Sequence, residues 1–214
     1  MRWLAAGSSI ATAALVMTAF TTPTRTTSPA PKLETATFAG GCFWSMERPF
    51  ENTPGVVSTV VGFAGGTVKN PTYDQVSTRT TGHAESVQVQ FDPSKVSYDR
   101  LLDIYWHNID PLTNDRQFCD QGTEYRTVVF YANDSQRVAA ERSRAEVQEH
   151  FTKPVVTQIV PMGAFYRAED YHQHFADRFP DRYNAYRRGC GRDSRLKELW
   201  GAAAEPNVPP LPAR

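Results

Sequence analysis

The sequence predicts a two-layer α/β sandwich (α+β in its packing) on a mixed sheet, and three observations carry that prediction. Short β-branched runs alternate with helical segments in the order strand, helix, strand, strand, helix, strand, helix, strand. The strand from Gly82 to Phe91 has a two-residue period, with Glu85, Val87, Val89 and Phe91 on one face and Ser86, Gln88 and Gln90 on the other. The 214 residues suffice for one domain with a sizeable core, or one domain with appendages, and no internal repeat is visible.

Taken in order, residues 1–31 read as a signal peptide and spacer, and 32–214 as the folded domain. Met1-Arg2 is a minimal basic start, Trp3 to Phe20 is apolar and uncharged, and Thr21 to Pro31 is rich in Thr and Pro. Export to the periplasm or the exterior is expected, with no membrane contact once the segment is cut. An uncleaved anchor is the alternative, though glycine and hydroxyl residues weaken the run as a span. Thr35 to Ala39 is a strand leading into Gly40-Gly41-Cys42-Phe43-Trp44, and Phe43 to Asn52 a helix ending near Pro54-Gly55. The glycines permit a sharp turn, which puts Cys42 in the first helical turn, where free N–H groups and the positive dipole end favour a thiolate. Pro49 inside that helix is expected to kink or restart it.

Val56 to Phe63 is the next strand, and Thr67 to Thr80 a polar loop holding Tyr73. The alternation of Gly82–Phe91 places Glu85 on the apolar face at the strand's first end, where desolvation should raise its pKa and keep it protonated as an acid. Ser97 to Asn108 is a helix with Leu101, Leu102, Ile104 and Tyr105 as its buried stripe. Asp110 to Gly122 is a loop crowded with Pro, Asn, Asp and Gln, and Tyr125 begins the strand after it. Ser135 caps a helix to about Phe151, Pro154 to Val160 is a strand, and Ala168 to Phe179 a short helix. His172 and His174, two apart on that helix, would point different ways and are read as packing and hydrogen-bonding residues. Cys190 follows in a tail rich in Arg and Tyr, from which Leu196 to Trp200 docks back as a last helical turn; the end of the chain, with its four prolines, is expected to be unstructured.

Composition narrows the function. Lys+Arg and Asp+Glu both total 23, so no net field recruits nucleic acid or an anionic membrane. Aromatic residues make up 12% of the chain, with nine tyrosines, which suits polar-tipped pocket walls as well as core filling. Three cysteines are too few for a disulfide scaffold, and the absence of a Cys-x-x-Cys pair argues against a cysteine zinc site.

Gly41-Cys42-Phe43-Trp44 resembles the active-site signature of the A-type peptide methionine sulfoxide reductases. The likeness continues in order through Pro71-Thr72-Tyr73, Thr81-Gly82-His83-Ala84-Glu85, Gly122-Thr123-Glu124-Tyr125-Arg126 and Tyr171-His172-Gln173. Ser45 departs from the glycine usual there. The resemblance implies a ferredoxin-like plait with a long irregular C-terminal segment, acting as a monomer on the S epimer of methionine sulfoxide, free or in oxidised proteins and peptides. It implies Cys42 as nucleophile, Glu85 as proton donor, Phe43 and Trp44 as the methyl slot, and Tyr73, Asp120 and Tyr125 as substrate-positioning groups. No metal or prosthetic group is required, and a thioredoxin-like dithiol would restore the enzyme. Two thiols are candidates to resolve the Cys42 sulfenic acid. Cys190, between two glycines and near Arg187, Arg188 and Arg192, is favoured over Cys119, whose neighbour Asp120 opposes its thiolate. Two other classes remain: a hydrolase or acyl-transferase using Cys42 with His83 or His107, and a peptide-binding module with inert cysteines.

Overall fold

β1 (Glu34–Gly40) is buried from Ala36 onward, and the rest of the sheet assembles around it. The coordinates are a computed structural model that describes residues 32–204. The expected signal peptide and spacer, and the proline-rich chain end, lie outside the described residues. After β1 come α1 (Phe43–Glu51), β2 (Val56–Ala64), α2 (Tyr73–Ser77), β3 (Ala84–Phe91) and α3 (Tyr98–Trp106). A two-residue hairpin follows, β4 (Arg116–Gln117) with β5 (Asp120–Gln121), then β6 (Thr127–Tyr131) and α4 (Asp134–His150). The chain continues through β7 (Gln158–Pro161), β8 (Phe165–Arg167), α5 (Phe175–Arg178), α6 (Pro180–Gly189) and α7 (Arg192–Trp200).

The large sheet has the order β7-β6-β1-β3-β2-β8. Its four inner strands are antiparallel neighbours. Together with α1 and α3 they form a β-α-β-β-α-β plait, as the resemblance implied. β7 adds in parallel beyond β6, and β8 antiparallel beyond β2, so the sheet is mixed. Because β1 and β3 run antiparallel, with Ala39 opposite Ser86, the end of β1 and the start of β3 meet at one edge of the plait.

Several expectations are met residue by residue. Glu85, Val87, Val89 and Phe91 are all buried, as are Leu101, Leu102, Ile104 and Tyr105 of α3. Ser97 caps α3 by accepting from the Arg100 amide. In the main core, Phe38 stacks against Phe50 at 5.2 Å and Tyr105 at 5.1 Å between ring centres. The Tyr105 hydroxyl donates to the Ala39 carbonyl at 2.9 Å.

Other expectations are corrected. α1 runs through Pro49 unbroken, although proline has no N–H to donate to the carbonyl one turn back. Asn133 rather than Ser135 caps α4, its side chain accepting from the Gln136 amide. The strand expected over Pro154–Val160 shrinks to β7, since the Val155 and Val156 amides donate to Gln148 and Pro111 instead. The loop over Thr67–Thr80 contains α2, started by a reciprocal Thr72–Gln75 capping box. The helix expected over Ala168–Phe179 is broken at His174, which adopts a left-handed backbone with φ 52°. Two bonds hold that break: the His174 amide donates to Glu47, and Gln173 hydrogen-bonds both backbone groups of Val61. β8 was not anticipated.

The C-terminal segment is helical, not irregular. Pro180 opens α6 at a position that needs no N–H, and α7 buries Leu196, Leu199 and Trp200 at helical spacing. Its indole donates to the Ile109 carbonyl at 3.2 Å, and Arg195 pairs with Asp110 at 2.8 Å. Among the described residues, no helix is long and apolar enough to cross a membrane.

Phe38 is the test of this core. Phe38→Ala should lower unfolding free energy by ~3–5 kcal/mol, through lost transfer energy and a cavity between two stacked rings. Urea denaturation measures it, and a midpoint equal to wild type would mean the stack carries no stability.

Candidate active site

Cys42 sits where β1 turns into α1, and two glycines make the turn possible. A Cβ on Gly40 would lie 2.6 Å from Ile109 Cγ2, and one on Gly41, whose φ is +85°, would lie 2.5 Å from Gln117 Cβ. Gln117 is itself buried and bonds Asp110 through both ends of its amide, which fixes the β4–β5 hairpin against the turn. Cys42 is one residue earlier than expected, at the N-cap of α1, where its carbonyl accepts from Ser45 and Met46. It is the free cysteine of the chain and is 7% exposed.

Glu85 faces it from the start of β3. The Phe43 amide, the first of α1, donates to Glu85 Oε2 at 3.0 Å. The first amide of the helix therefore serves the carboxyl group, and the next, from Trp44, favours the thiolate of Cys42. Burial, opposed only in part by the Phe43 bond and helped by the charges of Asp120 and Glu124, raises Glu85 to about 8. Burial also lifts the Cys42 thiol well above its usual range, and Glu85 and Asp120 add to the shift. The expectation of a resting thiolate is thus reversed: Cys42 is a neutral thiol beside a neutral carboxyl group.

The pocket walls are aromatic. Phe43, Phe63, Val61, Val76 and Ala168 are buried around Cys42, with Trp44, Tyr73 and Tyr125 half-buried at the edge. Trp44 stacks on Phe175 with ring centres 3.7 Å apart and donates its indole N–H to His172 Nδ1 at 3.1 Å. His172, whose pKa burial lowers to about 4, is neutral and packs on Phe43 and Tyr73. The reading of His172 as a packing and hydrogen-bonding residue holds. Tyr73 is fixed by its amide, which donates to Glu169. Tyr125 lies in a 3₁₀ turn (Thr123–Tyr125) rather than at the start of a strand, and packs with Tyr73 against the cluster around Cys42.

Asp120 lies in β5 and accepts a hydrogen bond from the hydroxyl of Tyr186 on α6. Tyr186, which sequence reasoning missed, also meets Trp44 edge-on at 6.0 Å. Burial raises Asp120, while Tyr186 and then Arg192 pull it down. The two candidate resolving thiols are joined to each other: Cys119 and Cys190 form a disulfide beside Asp120. The hydrolase histidines are occupied. His83 accepts from the Gly66 amide and bonds the Val68 carbonyl, so both ring nitrogens are used. His107 caps α3 against Asp103 and Trp200. One further set of metal-capable groups, Glu47, Glu51 and His174, is internally paired among the described residues: His174 contacts Glu51 at 2.5 Å, and Thr59 donates to Glu47.

Known proteins bear on this geometry. Residues 34–204 match the family described as peptide methionine sulfoxide reductase. The peptide methionine sulfoxide reductase MsrA of Bacillus licheniformis is 48% identical over 174 residues, 80% of this chain and 96% of that one. The MsrA 2 of Caulobacter vibrioides is 50% identical over 173 residues, 80% of this chain and 88% of that one. The solved methionine sulfoxide reductase A of Corynebacterium diphtheriae superposes with a TM-score of 0.65 at 35% identity, covering 71% of this chain and 77% of that chain. With the thiol, the carboxyl group and the aromatic slot arranged as described, these matches show that the chain belongs to the peptide methionine sulfoxide reductase family.

Proposed function

We propose that the protein reduces the S epimer of methionine sulfoxide, in oxidised proteins and peptides and as the free amino acid, with electrons from a thioredoxin-like dithiol. The observation that carries this reading is the neutral Glu85 carboxyl group held against the buried Cys42 thiol in an aromatic slot. A sulfoxide sulfur becomes electrophilic when its oxygen is protonated, and a dry pocket with one available proton suits that step.

In this mechanism Glu85 gives its proton to the sulfoxide oxygen while the sulfur of Cys42 attacks the sulfoxide sulfur. The S–O bond breaks as the oxygen passes to the Cys42 sulfur to form a sulfenic acid, and the transient bond between the two sulfurs breaks with its electron pair left on methionine, which leaves. The proton lost from the thiol replaces the one Glu85 gave, so the pocket gains no net charge. Phe43 and Trp44 take the S-methyl group, and Tyr73, Tyr125 and Asp120 hold the polar atoms around it. Cys190 then attacks the sulfenic sulfur and releases water, and Cys119 attacks Cys190. The product of that second exchange is a free Cys42 with a Cys119–Cys190 disulfide, the pairing present in the structure. Cys119 is exposed, which suits attack by an external dithiol. The two thiols therefore act in sequence, in place of a choice between them. The basic and apolar N-terminal segment supports export, where the donor would be an extracytoplasmic dithiol.

Separated sulfoxide epimers test the function directly. With a dithiol, wild type should turn over the S epimer alone, and Cys42→Ser should turn over neither; equal rates on both epimers would remove the reading. The acid role predicts a pH dependence of definite sign. Protonated Glu85 is present below about 8 and lost above it, so the rate of the first methionine should fall as pH rises through that value. Glu85→Gln should slow this step by ~10²–10⁴-fold and flatten the profile. A loss below about tenfold would move the donor role to a tyrosine or water. Thiol order is read by stoichiometry. Fully reduced wild type without donor should release about two methionines per chain, and Cys119→Ser and Cys190→Ser about one each. Cys119→Ser should end with no free thiol and Cys190→Ser with a sulfenic acid trapped by dimedone; the reverse pattern would make Cys119 the first attacker.

A further inference from the structure

Arg192 is 1% exposed, and among the described residues no carboxylate pairs with it. Its neighbours differ: Arg187 pairs with Asp193 at 2.5 Å and Arg195 with Asp110 at 2.8 Å. The guanidinium of Arg192 instead bonds neutral groups. Nη2 donates to the Asn108 carbonyl at 2.6 Å and the Gly40 carbonyl at 3.4 Å, and it touches Met46 Sδ at 3.2 Å. Nε is buried without a partner. Burying a charge without a counter-ion is unfavourable, and here burial first, then the charge of Arg187, lowers its pKa to about 10. A group held at such cost has an anion to meet at another stage of the cycle.

Its position says which anion. Arg192 follows Cys190 by two residues at the start of α7. Its guanidinium carbon lies 4.3 Å from the ring centre of Phe118, the residue before Cys119. It bonds Gly40, two residues before Cys42, and Nη1 comes within 3.8 Å of where a Cβ would stand on Gly41. One charge thus lies beside the chain segments that carry all three cysteines. The groups that act most strongly on Cys42 are the carboxyl groups of Glu85 from β3 and Asp120 from β5, which disfavour its thiolate, and the Tyr186 hydroxyl from α6, which favours it. Those facing Arg192 are Arg187, Tyr186 and Tyr183 on α6, Asp120 on β5, whose carboxylate it favours, and Cys42 itself, which draws the guanidinium toward its charged form.

We propose that Arg192 is a positioning residue that supplies the counter-charge for the Cys42 thiolate, and so makes Cys42 the sulfur released when Cys119 attacks a Cys42–Cys190 disulfide. This rests on the thiol order given above. In that step the Cys119 thiolate bonds to the sulfur of Cys190, the Cys42–Cys190 bond breaks, and the electron pair leaves on Cys42. Cys42 then takes up the proton that Cys119 gave to solvent, so the exchange needs no outside oxidant or reductant. The better-stabilised thiolate leaves faster, and Glu85 and Asp120 alone would make Cys42 the worse leaving group. Arg192 opposes that bias without altering the sequence around the nucleophile.

Charge and shape are separable at this position. Arg192→Gln keeps donors for the Gly40 and Asn108 carbonyls but removes the charge, whereas Arg192→Lys keeps the charge and loses the planar fork. The readout is alkylation of Cys42 by iodoacetamide in the oxidised protein, where Cys119 and Cys190 are protected in their disulfide and no sulfoxide is involved. At pH 8 the Gln variant should react more slowly by on the order of tenfold, the worth of one pKa unit, and the Lys variant within about threefold of wild type. In reduced protein, the second methionine should slow in the Gln variant in the same proportion. Unchanged alkylation in Gln, or a Lys variant as slow as Gln, would overturn the proposal and leave Arg192 a fastener of α7. Circular dichroism and an intact disulfide establish folding; should the Gln variant fail them, the Lys variant decides alone, and a loss above about tenfold there overturns the proposal. Because alkylation uses no sulfoxide, failure of this proposal and failure of the reductase reading give different results.

Discussion

The bond from the Phe43 amide to Glu85 Oε2 joins the start of α1 to the start of β3, and the active site depends on it. It needs the antiparallel pairing of β1 with β3, which brings the end of one strand beside the beginning of the other. It also needs the Gly40–Gly41 turn, because side chains at either position would collide with Ile109, Met46 or Gln117. Once formed, it uses the positive end of the helix on a carboxyl group, so the group can be buried without becoming so unfavourable that the strand end opens. The same bond leaves Oε1 free of protein partners among the described hydrogen bonds, available for a proton.

That arrangement fixes the charge state of the pocket. A thiol and a carboxyl group, both buried and both neutral at rest, can exchange protons through a substrate oxygen with no separated charge at either end of the reaction. Helix-dipole activation of the thiol would have required an anion in a dry site already flanked by Glu85 and Asp120. Burial and the two carboxyl groups outweigh the Trp44 amide and the Tyr186 hydroxyl, which favour the thiolate. The C-terminal helices then complete the enclosure: α6 brings Tyr186 across Asp120 and Trp44, and α7 brings Arg192 beneath the turn.

Much of this was legible in the sequence, for identifiable reasons. The period of Gly82–Phe91 set Glu85 on the core face, and paired glycines before Cys42 marked the tight turn. Local pattern is sufficient where one face of one element decides burial. It fails where partners come from distant segments. Nothing near Cys119 or Cys190 announces their pairing across 71 residues. Gln117 and Tyr186 act through contacts made only when hairpin and tail fold over β1. The tail reads as irregular because its arginines hide a sparse apolar spacing, and the helix over Ala168–Phe179 breaks because Glu47 and Val61 capture its backbone and Gln173. Arg192, read from the sequence only as a charge beside Cys190, is among the most buried side chains of the molecule.

The Cys119–Cys190 link has a thermodynamic consequence beyond its part in catalysis. It closes a loop that contains β6, α4, β7 and β8, two of them outer strands of the sheet, while Cys42 and Glu85 stand outside it. A closure of that span restricts the unfolded chain by up to about 4 kcal/mol. Linkage requires that whatever the bond adds to folding be added equally to its own resistance to reduction in the folded state. The molecule is therefore most stable when its reducing capacity is spent and least stable when it is charged for work. Each round of donor turnover drives the fold between those two stabilities, and heat or denaturant would act first on the chemically competent form.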